Sequence, residues 1–306
     1  MDNHILNKLK ERLGEERVKE NFILAPYTTF KMGGPAQYYF EALSDEDLIA
    51  AVKSAYEWKL DLTVLGGASN VIVSDKGVRG LVVRNQYVDQ KPIEETDNFV
   101  LLQVSSGYSV TRLAKETAQK GWSGFEYHLG LPGTMGGAIC MNAKWTNPHS
   151  YIGDNLIKAC LVNRRGNVRT VDTSYFNFSY GKSILQETGD IVIWAVFKLE
   201  KKDPKLLLKC AQNALDYRKQ TQPYGVATSG CFFWNAKGEP AGKLIDQLGL
   251  KGYRVGDLEV SDKHANFVIN KGKGTEKDFR RLIATIKKKV RQKYEVDLEE
   301  EVKFLK

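Results

Sequence analysis

Two glycine-rich turns constrain this chain more than any other feature. They are Gly66-Gly67-Ala68-Ser69-Asn70 and Gly130-Leu131-Pro132-Gly133-Thr134-Met135-Gly136-Gly137. Each follows an apolar stretch, ending at Leu65 or Leu129, and each leads into another, Val71-Ile72-Val73 or Ala138-Ile139. Glycine permits positive φ and close approach, so successive N–H groups can form a concavity that receives an anion. Two such loops in one chain suit a long ligand with a central pyrophosphate, such as a dinucleotide. Neither is a GxGxxG turn opening a strand–helix unit, and neither is GxxxxGK[ST]. That speaks against a Rossmann site and a P-loop.

At 306 residues the chain has room for two or three domains with substantial cores. No apolar run approaches the ~20 residues needed to span a bilayer. The stretch from Met1 to Lys19 lacks the apolar core of a secretory signal. Its Ile5, Leu6, Leu9, Leu13 and Val18 suit a short amphipathic helix. The expected location is the cytoplasm. The four cysteines, Cys140, Cys160, Cys210 and Cys231, form no CxxC pair and the four histidines are scattered. No metal site is expected, and the thiols point to a reducing compartment. The net charge of +8 suits a protein that handles polyanionic small molecules. The run Lys287-Lys288-Lys289 reads as a solvated helix face, and no nucleic-acid partner is expected.

The elements mix in order, which predicts an α+β fold. Strands are expected at Gln37–Leu43, Leu62–Leu65, Leu81–Arg84, Phe99–Val104, around Leu156–Asn163 and at Ile191–Leu199. Ser44 with Asp47 resembles a capping box opening a helix through Trp58. Further helices are expected at Ser109–Lys120, stopped by Gly121, at Lys205–Lys219, and from Thr275 to about Tyr294. In the last, Phe279, Leu282, Ile283, Ile286 and Val290 share one face. Lys201-Lys202-Asp203-Pro204 reads as a domain boundary.

A third segment, Thr28-Thr29-Phe30-Lys31-Met32-Gly33-Gly34, precedes the two glycine turns. In this order the three resemble the FAD-binding half of the UDP-N-acetylenolpyruvoylglucosamine reductase (MurB) family. Ala241-Gly242-Lys243-Leu244-Ile245-Asp246-Gln247, Gly249-Leu250-Lys251-Gly252 and Lys263-His264-Ala265-Asn266-Phe267 resemble its substrate-binding domain. The likeness runs from about Pro26 to Phe304. It implies a two-part, vanillyl-alcohol-oxidase-like FAD-binding region over residues 1–83 and 84–202. A substrate-binding α+β domain over 203–306 follows, its last strand returning to the active site. The implied activity is NADPH-dependent, FAD-mediated reduction of UDP-N-acetylglucosamine enolpyruvate to UDP-N-acetylmuramate in peptidoglycan precursor synthesis. A monomer with noncovalent FAD is expected, of the shorter subclass lacking an extra tyrosine-bearing loop.

The resemblance also assigns residues. FAD would lie against Gly66, Gly67, Ala68, Ser69 and Asn70, and against Gly133, Thr134, Gly136 and Gly137. Asn142 follows, and Lys31 and Gly33 are expected on the flavin side. Ala68 stands where glycine is more usual, a mild change. Ala143-Lys144-Trp145 departs from a Gly-Ala-Tyr type continuation. The family's proton donor is a serine in a Gly-Ser-x-Phe-x-Asn segment, which here reads Gly230-Cys231-Phe232-Phe233-Trp234-Asn235. Cys231 therefore takes the donor position, unless it is a small buried hydrophobe. A thiol of ordinary pKa ~8.5 is a stronger acid than an alcohol and can protonate a carbanion. Glu301 matches a glutamate before the last strand, whereas Glu299 and Glu300 read as solvated.

In the family that the chain resembles, a Phe-x-Tyr-Arg-x-Ser segment carries an arginine that helps stabilise the developing enolate. Here it is Phe178-Ser179-Tyr180-Gly181-Lys182-Ser183, with glycine at the arginine position. Tyr180 and Lys182 stay as substrate contacts, although neighbours on a strand face opposite ways. Arg218 and Gln222 match diphosphate contacts, and Asn235 and Gln247 match substrate contacts. His264 matches a family position and is assigned no catalytic role. Two other readings stand beside this one. One is a different FAD-dependent oxidoreductase of the same fold. The other is a flavin- or UDP-sugar-binding homologue with weak or no reductase activity because of Gly181.

Overall fold

The computed structural model describes residues 2–236 and 238–306; Met1 and Lys237 lie outside that description. The chain divides into two compact units. One holds the residues up to Glu20, Tyr38–Gly67 and Gly80–Asp216; the other holds Asn21–Gln37, Ala68–Arg79 and Tyr217–Lys306.

The first unit begins with helix α1 (Asp2–Leu13). Strands β1 (Lys19–Ile23), β2 (Pro35–Ala42), β5 (Val78–Asn85) and β3 (Leu62–Leu65) form a sheet in the order β1-β2-β5-β3. β3 and β5 run parallel, with Leu62 opposite Leu81 and Leu65 opposite Arg84. Helix α2 (Asp45–Glu57) starts where Ser44 accepts a bond from the Asp47 amide, and three acidic residues sit in its first turn. Its Leu48 and Val52 pack with Leu9, Tyr38, Phe40, Leu81 and Val83. The amphipathic helix expected as far as Lys19 stops at Leu13, because Gly14 (φ 107°) turns the chain there. Val18 reaches the same core from outside the helix.

A six-stranded antiparallel sheet forms the rest of this unit. Its strands are β6 (Gln90–Glu95), β7 (Phe99–Ser105), β8 (Trp122–Ser123), β11 (Leu156–Val162), β12 (Val168–Asp172) and β13 (Ile191–Lys201). The order is β12-β11-β13-β7-β6, with β8 also paired to β13. Helix α3 (Val110–Gln119) is capped by Ser109 and ends before Gly121 (φ 74°). Short helices α4 (Met135–Cys140) and α5 (Leu185–Thr188) and the hairpin of β9 (Lys144–Thr146) and β10 (His149–Tyr151) complete it. The core includes Leu102, Val104, Leu113, Phe125, Ile139, Ile152 and Phe197.

Helix α6 (Pro204–Thr221) carries the chain into the second unit. There β4 (Val71–Val73) pairs in parallel with β17 (Lys303–Leu305), Val71 opposite Lys303. β14 (Arg254–Val255), β15 (Leu258–Val260) and β16 (Val268–Asn270) form a small antiparallel sheet. Helix α7 (Ala241–Gln247) and helix α8 (Glu276–Tyr294) pack with it. Thr275 and Asp278 make a reciprocal capping box at the start of α8. The expected stripe from Phe279 to Val290 is buried against Phe30, Phe232, Leu244 and Val268. Among the described residues no helix is long and apolar enough to cross a membrane.

Candidate active site

In the first unit Gly66-Gly67 of the first glycine turn meets Gly133-Thr134 of the second. A Cβ on Gly66 would overlap the Thr134 hydroxyl, and one on Gly67 would stand 2.7 Å from the Gly133 Cα. The second turn is fixed from behind by backbone bonds. The Val110 amide donates to Gly133 O (3.2 Å), Met135 to Tyr108 O (2.9 Å) and Gly136 to Ser106 O (2.8 Å). Loop-to-loop packing therefore accounts for Gly66 and Gly67. Gly137 is different: a Cβ there would meet nothing within 4 Å. Main chain drawn close together beside open space at Gly137 fits a phosphate-bearing ligand such as FAD.

Asn142 (φ 39°) acts as a clamp within this unit. Its side-chain Nδ2 donates to Ser179 O (3.1 Å), and its Oδ1 accepts from the Gly153 amide (3.2 Å). The held segment is a tight turn in which the Ser179 and Lys182 backbones bond each other at 3.1 and 3.2 Å. Gly181 is its third residue, buried, with φ 64°. A type II turn needs positive φ there, which favours glycine. Arginine at 181 would have to adopt a left-handed backbone, at a cost of about 1–2 kcal/mol. Lys182 leaves the turn exposed. The Lys144 ammonium lies 3.7 Å from the centroid of the Tyr180 ring.

In the second unit the Thr28–Gly34 segment is tied to the first glycine turn. The Thr29 amide and hydroxyl both donate to Ala68 O at 3.2 Å. Lys31 (φ 57°) donates from Nζ to Pro26 O at 2.7 Å. Gly33 packs on Val73, 2.7 Å from where its Cβ would be. The Lys303 amide donates to Asn70 O at 3.0 Å, so β17 holds the end of the turn after half-buried Ser69. Ala68 itself has φ 47°. The exchange expected to be mild therefore carries strain, because a left-handed L-residue costs about 1–2 kcal/mol. Ala68→Gly is expected to raise stability by up to about 1 kcal/mol in chemical denaturation. An unchanged or lower midpoint would mean that packing of the Ala68 methyl outweighs the strain.

Cys231 begins an extended stretch held on both sides. Cys231 bridges Phe267, and the Phe232 amide donates to Asn266 O at 2.9 Å. On the other side the Glu301 amide donates to Phe232 O (2.8 Å) and Trp234 to Glu299 O (3.0 Å). Glu301 thus lies one register step from Cys231. Asn266, within a quoted motif but with no expected role, fixes this stretch. Its side chain accepts from the Phe233 amide (3.0 Å) and donates to Phe233 O (2.8 Å). His264 accepts at Nδ1 from the Asn266 amide (3.2 Å), and burial lowers its pKa. That places it as a neutral support for the stretch.

Arg218, in the last turn of α6, is only 7% exposed. Its Nη1 donates to Gln222 Oε1 at 3.3 Å. Burial pulls its pKa down to about 10, while Tyr224 and Cys231 act to raise it. A buried guanidinium gains most from a ligand that carries negative charge. Asn235 and Gln247 stand at opposite ends of α7. Asn235 Oδ1 accepts from the Ala241 amide (3.1 Å), and Gln247 is exposed with its Oε1 accepting from Tyr294 (3.4 Å).

Residues 36–172 match the family described as an FAD binding domain. With the paired glycine turns, this defines an FAD-dependent oxidoreductase, here with a separate C-terminal unit. Residues 222–305 match the UDP-N-acetylenolpyruvoylglucosamine reductase C-terminal domain. The chain is 37% identical over 306 residues to UDP-N-acetylenolpyruvoylglucosamine reductase of Bacillus pumilus, covering 98% of this chain and 99% of that one. The Bacillus subtilis protein of the same name is 36% identical over 305 residues, 98% of each. The crystal structure of the Thermus caldophilus reductase aligns with a TM-score of 0.79 at 31% identity, over 95% of this chain and 99% of that one. The chain belongs to the UDP-N-acetylenolpyruvoylglucosamine reductase (MurB) family.

Proposed function

We propose that this protein uses NADPH to reduce UDP-N-acetylglucosamine enolpyruvate to UDP-N-acetylmuramate, a step of peptidoglycan precursor synthesis. The observation that carries this reading is the stretch at Cys231. The family's two positions, 231 and 301, lie on segments bonded to each other, with Glu301 opposite Phe232, the neighbour of Cys231. Gly66, Gly67, Ala68, Ser69 and Asn70 would hold FAD together with Gly133, Thr134, Gly136 and Gly137, and with Lys31 and Gly33 nearby. Bound there, FAD would supply relay of a hydride from NADPH to C3 of the enolpyruvyl group.

The protein's own part is orientation, charge and a proton. The Cys231 thiol gives its proton to C2, and the thiolate is reprotonated from solvent, so one NADPH and one proton are consumed per turnover. Glu301 orients that exchange. Arg218 and Gln222 take the diphosphate, and Tyr180, Asn235 and Gln247 take the sugar and its substituent. Asn142 contributes by fixing the Tyr180 turn. Arg218→Ala is expected to weaken UDP binding on the order of 10²-fold by calorimetry. Arg218→Lys recovers little, because an ammonium lacks the forked geometry. Wild-type affinity in Arg218→Ala would remove this residue from the diphosphate site.

The whole reading is tested by anaerobic stopped-flow. Flavin reduced by NADPH should reoxidise rapidly on mixing with UDP-N-acetylglucosamine enolpyruvate. Reduction without substrate-dependent recovery would point to another acceptor. Binding of UDP-sugars without turnover would favour a binding homologue, a reading that Gly181 supports.

A further inference from the structure

Gly181 leaves the reaction without an arginine where negative charge develops, and the left-handed backbone of its turn disfavours one. We infer that Lys144 supplies that charge, its ammonium held over the Tyr180 ring and directed to the carboxylate of the enolpyruvyl substrate. This inference rests on the proposed reduction.

Two observations place Lys144 in that role. The first is the 3.7 Å separation between its ammonium and the Tyr180 ring centroid. An ammonium over an aromatic face is attracted by the ring quadrupole, which restrains an otherwise flexible four-carbon stem. The second is the mounting. Lys144 opens β9 two residues after Asn142, and Asn142 bonds the turn that carries Tyr180. One clamp therefore fixes both partners, immediately after the α4 segment that follows the second glycine turn. Tyr180 remains 39% exposed, so the pair stays accessible to a ligand. Lys182 is the rival cation, but its side chain is exposed to solvent.

Chemically, hydride delivery to C3 builds charge on C2 and the adjoining carboxylate. A positioned cation stabilises that charge, and removing one such donor typically costs ~10²–10³ in rate. The two departures from the family pattern, at 144 and at 181, are then one compensated change.

The test uses FAD-loaded Lys144→Met and Lys144→Arg. In Lys144→Met, flavin reduction by NADPH should match wild type, while substrate-dependent reoxidation slows by ~10²–10³. Calorimetry separates charge from fold. UDP-N-acetylmuramate, which bears the carboxylate, should bind about tenfold more weakly, and UDP-N-acetylglucosamine, which lacks it, as in wild type. Lys144→Arg should restore most of both. Unchanged reoxidation in Lys144→Met, or a loss found in Lys182→Met instead, overturns the inference. Wild-type protein that binds neither UDP-sugar nor reoxidises would overturn the reductase reading itself.

Discussion

Replacing Cys231 with alanine is expected to slow substrate-dependent flavin reoxidation by ~10²–10⁴, the usual contribution of a positioned acid. Reduction by NADPH should be unaffected, because that half-reaction needs no proton at C2. Cys231→Ser should keep reoxidation within about tenfold of wild type, since a hydroxyl in the same place can still donate. The pH profile gives the sharper distinction. A thiol donor works only while protonated, so reoxidation should fall as pH rises through the thiol's titration. Cys231→Ser should lose that alkaline limb, because serine does not titrate in the range. Alkylation should inactivate wild type and leave Cys231→Ser untouched. An alkaline limb that persists in Cys231→Ser, with Cys231→Ala fully active, would return this cysteine to the core.

The second large effect is expected at the glycine turns. Gly67→Ala would place a methyl 2.7 Å from the Gly133 Cα and 3.4 Å from its N and C atoms. These are backbone atoms and cannot rotate aside, so the two turns must part. The expected cost is about 1–3 kcal/mol of stability from overpacking. FAD affinity should fall ~10²-fold or more, as one or two charge-assisted bonds of about 1.5–3 kcal/mol lose their geometry. Gly137→Ala separates the two effects. It lies in α4 with open space around its Cβ, so alanine should raise fold stability by up to about 1 kcal/mol. The same methyl would occupy the face offered to the cofactor, so FAD content after purification should fall. A Gly137→Ala protein that is more stable and fully flavinated would mean that this face is not the cofactor's.

Local chemistry made much of the fold legible. Ser44, Ser109 and Thr275 announce helices because their side chains accept bonds from the first-turn amides. The apolar stripe of α8 announces its buried face. β6 escapes such reasoning: Gln90–Glu95 is largely exposed and charged, and Pro92 sits at a register shift on the sheet edge. No composition change marks residues 21, 68 or 80, where the chain passes from one compact unit to the other. The glycine turns stand out in the sequence, but not which glycines pack on each other. Gly66 and Gly67 answer to Thr134 and Gly133, a pairing set by tertiary contact. Nor could spacing reveal the left-handed backbone at Ala68. Gly181 stood out as a missing cation, yet its positive φ and the nearby Lys144 emerge only from the folded turn.

The pairing of β17 with β4 has a consequence for how the protein is made. Val71–Val73 leaves the ribosome long before Lys303–Leu305, and the amide that secures Asn70 belongs to Lys303. Contacts so distant in sequence close late in folding, after loop-closure entropy has been overcome. The end of the turn following β3, at Asn70, is therefore secured only once the last strand of the chain has been made and has paired.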